Sequence, residues 1–283
     1  MRIATRLSTK IAFVTFIGAF VTILSVAVFT FHFTKVALQQ SIMKNQLSLA
    51  KQTMNKIDRL LYERYIDIEV IAGEDLLEDF VLKSGAGLGS VDEIEKKAVA
   101  KRFNELTFVT GPWDVLFVVD QNGKTIFSTE EGEVGTSIEG EPHNVVAVKA
   151  AMQGEVYYSD MELSDDTHKP TLIFAAPIRD NQDPKRSVIG VVVGSFAWPS
   201  ILPILEELPV DAILLDRSRS VIESNASYAK PALFAQLSQN RTSLHQFIGV
   251  HAGSMIVQAK DSFIGEMVLI SFAPQRGYLS YEG

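Results

Sequence analysis

Apolar residues fill the chain from Ile11 to Phe33, interrupted only by Gly18, a few Thr and Ser, and His32. A helix rises about 1.5 Å per residue, so about twenty such residues cross a hydrocarbon core roughly 30 Å thick. The backbone finds no water there, which makes the run helical. The pattern then turns one-sided without a break. Met43, Leu47, Ala50, Met54, Ile57, Leu61, Arg64, Ile68 and Ile71 follow at alternating steps of four and three, a heptad seam interrupted only by Arg64. No Gly or Pro falls between Thr34 and Ala72. The spacing predicts one continuous helix: a membrane span that becomes a long extramembrane helix, which is expected both to pair with a second copy and to pack on the chain's own sheets, on different faces and at different heights.

Beyond Gly73 the elements are shorter. Residues 74–83 (EDLLEDFVLK) are amphipathic, and 84–90 (SGAGLGS) read as a loop. A helix follows to about Val109, capped by Ser90 or Asp92, with acids in its first turn and cations further along; Gly111-Pro112 ends it. Residues 114–128 (DVLFVVDQNGKTIFS) place two β-rich runs around Gln121-Asn122-Gly123, and Asn-Gly is the strongest short hairpin signal. Residues 144–153 read as a helix capped by Asn144 and stopped by Gly154. Strands are expected over 155–161, 170–177 and 187–196, and a short helix or connector over 200–208. The fold class is α+β, with one mostly antiparallel sheet after the helices.

The pattern then begins again. Asp114-VLFVV-Asp120 resembles Asp211-AILL-Asp216, each followed by a polar turn and a second strand ending in Ser128 or Ser224. LIFAAP ending at Pro177 resembles LISFAP ending at Pro274. Matching signals at matching spacing predict two copies of one antiparallel-sheet subdomain. The chain stops nine residues after Pro274, before the buried strand that closes the first copy, so the second copy is expected to be truncated and the chain to be the front of a longer protein. The expected domains are a cytoplasmic tail (1–10), a transmembrane helix (11–33), the long helix with the first sheet (34–209) and the second copy (210–283).

Composition narrows the function. Arg2, Arg6 and Lys10 precede the span and only Lys35 follows closely, so the N-terminus is placed in the cytoplasm and the rest outside. A cleaved signal peptide is the competing reading; its apolar core is typically shorter, about 7–15 residues, and ends in small residues rather than Phe-His-Phe. The chain has 26 Lys+Arg and 34 Asp+Glu. Three of the cations and none of the acids lie in residues 1–33, so the remainder carries a net −11 and repels phosphate backbones; nucleic acid is not an expected partner. Without cysteine there is no thiolate catalysis and no Cys-ligated metal. The five His are scattered, no metal-ligand or GxSxG spacing occurs, and no metal or cofactor is expected.

The long helix after a first span, the hairpin VVDQNGKTIFS, the segment GEVYYSD…KPTLIFAAPIRD and the strand VIGVVVGSF together resemble the double Cache family. These are tandem PAS-like sensor domains outside bacterial membranes, in receptors of the histidine kinase, chemoreceptor or cyclic-dinucleotide enzyme type. MNKIDRLLYERYIDIEVIA is similar to the first helix of such sensors. The resemblance implies a small-molecule pocket on the sheet of the membrane-distal copy. In amino-acid-binding members an Arg and aromatics precede the glycine equivalent to Gly154; here that stretch holds Val145, Val146, Ala147 and Val148. A ligand carboxylate needs a cation and an ammonium needs carboxylates or π faces, so a standard amino acid is not the expected ligand. The candidate pocket walls are Trp113, Phe117, Tyr157, Tyr158, Asp160 and Asp180. Tyr158 and Asp160, two apart on an extended strand, share a face. Against these roles stand core packing for Trp113 and Tyr158 and turn-capping for Asp160 and Asp180.

The leading function is therefore an extracytoplasmic small-molecule sensor in the bacterial inner membrane. It would signal through the long helix and pair as a homodimer. The alternatives are a ligand-free dimerising or partner-binding module, and an anchored enzyme, for which no catalytic motif is present.

Overall fold

In the computed structural model, helix α1 runs unbroken over Arg2–Ala72. The structure describes residues 2–85, 93–111, 113–130, 132–140, 142–160, 162–163, 170–197, 200–215, 221–225, 252–258 and 267–277. The chain forms two units: residues 1–51 with 246–273, and residues 52–245 with 274–283.

The first unit holds the apolar part of α1, which is long and apolar enough to cross a membrane, with a mean hydropathy of 2.5 over its best window. Side chains from Ile11 to Phe33 are exposed on every side of the helix. The same unit contains the antiparallel hairpin of β9 (Gly253–Gln258) and β10 (Met267–Phe272).

The second unit is built on an antiparallel sheet made from β1 (Trp113–Asp120), β2 (Thr125–Ser128), β3 (Tyr157–Tyr158), β5 (Pro170–Arg179) and β6 (Val188–Ala197), in the order β2-β1-β6-β5-β3. A two-residue strand, β4 (Glu162–Leu163), also pairs with β5. One face of the sheet packs against α1, α2 (Asp75–Gly85) and α3 (Glu93–Thr110). From that face Leu116, Val118, Phe174 and Val192 meet Ile57, Leu61, Ile68 and Ile71 of α1. Phe127 takes Phe103 at 4.8 Å and Phe80 edge-on at 6.3 Å. The other face is covered by α4 (Pro142–Met152). A short helix, α5 (Leu202–Glu206), leads to a second antiparallel hairpin, β7 (Ile213–Leu215) with β8 (Val221–Ser224).

From Ile57 to Ile71 the seam of α1 is buried within one protomer, the packing on the chain's own sheet that was expected beside helix pairing. Steps of four and three mark one buried face of a helix, and they are the same whether a second helix or a sheet covers it. The exception in the seam, Arg64, is buried too and approaches Asp67 at 2.9 Å. Its guanidinium fills the space beside Gly111, where φ is +105° and a Cβ would lie 1.8 Å from Nη1. Glycine is required there on both counts. Other polar ties hold the helices: Arg102 donates to Glu74, Asn181 donates its backbone and side-chain N–H to Glu78, and Lys56 pairs with Glu207 at 2.6 Å.

Several boundaries differ from expectation. The helix expected from Asn144 begins at Pro142, because proline is preset for a first helical turn and lacks the N–H that would go unbonded there. The strand expected over 155–161 is cut to Tyr157–Tyr158. There Ser159 replaces the ladder: its backbone N–H donates to Ile173 O, and its Oγ accepts from Ile173 N. The caps Ser90 and Asp92, the turn at 217–220 and the middle of the expected second copy lie outside the described residues.

The internal repeat has a counterpart in strand register. Phe117 pairs with Ser128, Val118 with Phe127 and Val119 with Thr125. Ile213 pairs with Ser224, Leu214 with Glu223 and Leu215 with Val221. Each partner in the second hairpin is its equivalent in the first moved along by 96 positions (117 to 213, 128 to 224), and the register slips at the same place in both.

One buried acid ties α1 to the end of the described chain. Asp58 is 1% exposed and its Oδ2 accepts from the backbone N–H of Arg276. Burial holds its carboxyl above the ordinary aspartate range, against the opposing pull of the Arg276 and Gly277 N–H groups and the Gln275 side chain. The folded state therefore binds this proton more tightly than the unfolded one. Stability is fullest below the unfolded value of about 3.9 and declines as pH rises through the raised folded value. Asp58→Asn is expected to flatten that decline in chemical denaturation series taken from pH 4 upward; an unchanged slope would remove Asp58 as its source.

Candidate ligand-binding face

Alternation along a strand sends neighbours to opposite faces. Tyr157 therefore joins the α4 face, and Tyr158 joins the α1 face, where it meets Tyr65 edge-on at 6.2 Å. Trp113 also lies on the α1 side. It packs edge-on against Phe174 and Phe196 and donates Nε1–H to Thr110 Oγ1 at 3.1 Å. Asp180 Oδ1 accepts from the backbone N–H of Gln182 and Asp183 and closes the turn between β5 and β6. Asp160 is exposed, and because β3 ends at Tyr158 the two do not share a strand face. Of the six candidate residues, the structure brings Phe117 and Tyr157 to the α4 face and places the other four elsewhere.

Phe117 and Tyr157 lie on one cross-strand row, which continues past Phe117 to Ser128. Phe117 pairs with Val193, Val193 with Ala175, and Ala175 with Tyr157. At about 4.8 Å per strand the two aromatics stand roughly 14 Å apart. The small side chains between them, Val193 and Ala175, are buried in the cluster that α4 shares. At one end of this face Thr171 Oγ1 and Ser195 Oγ lie 2.7 Å apart, and Ile173 joins the apolar lining. This hydroxyl pair is absent from the sequence reading. The only signal for it was the alternation of Thr171 with Ile173 and of Ser195 with Val193, which marks a polar place on an inward-facing row.

Over the other half of the face lies α4. Ala147, Val148 and Ala151 are buried against Val119, Ala175 and Val191, while Val145 is half-buried and Val146 exposed. Small residues at i, i+4 let the helix approach the sheet closely. Its C-terminal turn is tied down by Arg179, whose Nη2 donates to Gly154 O at 2.7 Å and whose Nη1 donates to Arg186 O. Gly154 adopts φ +96°, and a Cβ there would meet Arg179 Nη2 at 2.9 Å. Arg179 is thus engaged with backbone carbonyls. Among the described residues no group of three His, Asp or Glu side chains is placed to hold a metal ion. Chemically, the face offers stacking walls, an apolar floor and neutral hydroxyl donors and acceptors.

No protein-family model matches the sequence, and no curated protein matches it. Solved structures do share its fold. The sensor domain of the Vibrio cholerae histidine kinase DctB aligns over 82% of this chain and 92% of its own, at TM-score 0.56 and 12% identity. The ligand-binding domain of the Campylobacter jejuni chemoreceptor Tlp3, in complex with L-norvaline, aligns over 84% and 88%, at 0.55 and 13%. That of the Pseudomonas fluorescens chemoreceptor CtaA, in complex with L-serine, aligns over 86% and 94%, at 0.54 and 13%. The fold is that of ligand-binding sensor domains from chemoreceptors and kinases, as the double Cache resemblance implied. Two of these neighbouring domains are in complex with amino acids, L-norvaline and L-serine.

The hydroxyl pair gives the face a measurable signature. Thr171→Val is expected to cost about 0.5–1.5 kcal/mol in chemical denaturation, and Ser195→Ala to cost little more once Thr171 is gone. Fully additive costs would mean that the two hydroxyls do not bond.

Proposed function

We propose that this chain is the sensing part of a membrane receptor. α1 anchors it in a bacterial inner membrane, and the second unit lies on the extracytoplasmic side, where it binds a small molecule on the sheet face shared with α4. The observation that carries this reading is one uninterrupted helix that is lipid-like over residues 11–33 and core-forming over 57–72. A ligand can shift α1 only by binding two arrangements of the domain unequally. Phe117 and Tyr157 supply walls for such a ligand, and Thr171 with Ser195 supplies hydrogen bonds. The module is proposed to bind rather than to catalyse. Residues 210–283 are proposed to contain a second, membrane-proximal copy of the sheet subdomain, supported by the shared register of its first hairpin.

A second reading has a specific observation in its favour. The close seat of α4, with Ala147 and Ala151 fully buried, fills part of the face with the protein's own side chains. On that reading the module receives a partner protein or acts as a dimerising spacer.

Thermal denaturation of the full chain in detergent, against a panel of amino acids, carboxylates, amines and sugars, separates the two. Sensing predicts that one chemical class raises Tm, with about 2.7 kcal/mol of added stability at a hundredfold excess over Kd. It also predicts that Phe117→Ala weakens the response. A panel that moves nothing contradicts ligand sensing and favours the partner-binding reading.

A further inference from the structure

The turn between β5 and β6, residues 180–187, is held to one shape by its own side chains. Asp180 Oδ1 accepts from the backbone N–H of Gln182 and Asp183, and the Asp183 carboxylate accepts from the backbone N–H of Lys185 and Ser187. Asp180 N donates across the turn to Ser187 O, and Arg186 N donates to Asp183 O. Arg186 sits at φ +48°, the only non-glycine residue with positive φ among the described residues. That conformation is uncommon for a residue with a side chain and persists where the surroundings fix it. At the foot of the turn the β5–β6 register slips between Ile178 and Arg179. Such a bulge re-aims the side chains beside it.

Both irregularities serve polar contacts that leave the turn. On one side Arg179 reaches Gly154 O at 2.7 Å and Arg186 O at 3.3 Å. Gly154 follows the end of α4, where helix carbonyls lack partners within the helix, and a planar guanidinium serves two carbonyls at once. On the other side Arg186 Nη2 donates to Asn181 Oδ1 at 3.1 Å. Asn181 gives its backbone N–H to one oxygen of Glu78 and its side-chain N–H to the other. Glu78 lies in α2 and is 6% exposed. The Asn181 amide thus accepts at one end and donates at the other, so both neighbours fix its orientation.

α4 covers one face of the sheet and α2 packs on the other. The series Gly154, Arg179, Arg186, Asn181, Glu78 therefore passes round the end of the β5–β6 hairpin and joins helices on opposite faces. α2 begins at Asp75, just after α1 ends at Ala72, and Glu74 between them is held by Arg102. We propose that the 180–187 turn is a strut that sets the C-terminal turn of α4 relative to α2, with Asn181 and Arg186 as its positioning residues. The inference rests on the reading that α4 covers the ligand face: a ligand that shifts α4 then acts on α2 and the end of α1 round the hairpin as well as through the sheet.

Native-state hydrogen exchange on the full chain in detergent tests the strut. The amides to follow are those of Gln153 and Gly154, which bond to Ala150 O and Ala151 O, with β6 amides in the same sample reporting any global loss of stability. Glu78→Gln sets an N–H against an N–H, and Asn181→Asp sets two carboxylates together. Each is expected to speed exchange at 153 and 154 several-fold more than in β6, although residue 78 lies on the opposite face of the sheet. In the double variant the new amide at position 78 donates to the new carboxylate at position 181, which still accepts from Arg186. Its rates are expected to return to within about twofold of the parent. Single variants that leave 153 and 154 unchanged or speed them no more than β6, or a double variant as fast as the singles, overturn the strut. No ligand enters this experiment, so a ligand panel that fails to raise Tm strikes the sensing reading and leaves the strut standing.

Discussion

A helix apolar on all sides for one stretch and on one side only for a later stretch has to be held by two different surroundings. In α1 the first stretch has no protein cover and the second is part of a core. Ile57, Leu61, Ile68 and Ile71 are not ornaments on a linker; they fill one face of the sheet and are almost fully buried. Removing the last turns of α1 would strip that face of its cover. The sheet domain and the apolar run therefore share one continuous helix.

The two faces of the sheet divide the work. Large side chains such as Trp113, Phe174 and Phe196 fill the α1 side, where interlocking rings make a stiff seat. The α4 side is built from Ala and Val, with Phe117 and Tyr157 flanking Val193 and Ala175 on one cross-strand row. Such a face costs little to rearrange, because few large groups must move. Polar groups buried on the α1 side are less forgiving. Burial raises the carboxyls of Asp58 and Asp67 above their ordinary range, with the Arg64 guanidinium, 2.9 Å from Asp67 Oδ2, opposing it at Asp67.

Much of the fold was legible because it follows from periodicity. The Asn-Gly turn gave the β1–β2 hairpin, and the unbroken seam gave α1. The long apolar run ending at Phe196 gave the central strand β6. Periodicity is silent about what covers a face, so it could not say which part of the seam packs on the chain's own sheet; that part is Ile57 to Ile71. It is equally silent about side-chain hydrogen bonds that replace a ladder, which is why Ser159 ended β3 early and separated Asp160 from Tyr158. Of the six candidate residues, alternation places Phe117 and Tyr157 on the α4 side of the sheet. Trp113 and Tyr158 were drawn to the opposite face by the same alternation, and Thr171 with Ser195 went unnoticed because single hydroxyls carry no motif.

The account stands on the last turns of α1 being an integral part of the sheet domain. Native-state hydrogen exchange measures this directly, since amides that open only with the whole domain share its free energy. The amides of residues 57–72 are expected to exchange as slowly as those of β5 and β6, and with the same dependence on denaturant. Exchange in 57–72 that runs ahead of the sheet, through a local opening insensitive to denaturant, would show the helix to be a loosely attached stalk and would contradict the coupling on which the proposed signalling rests.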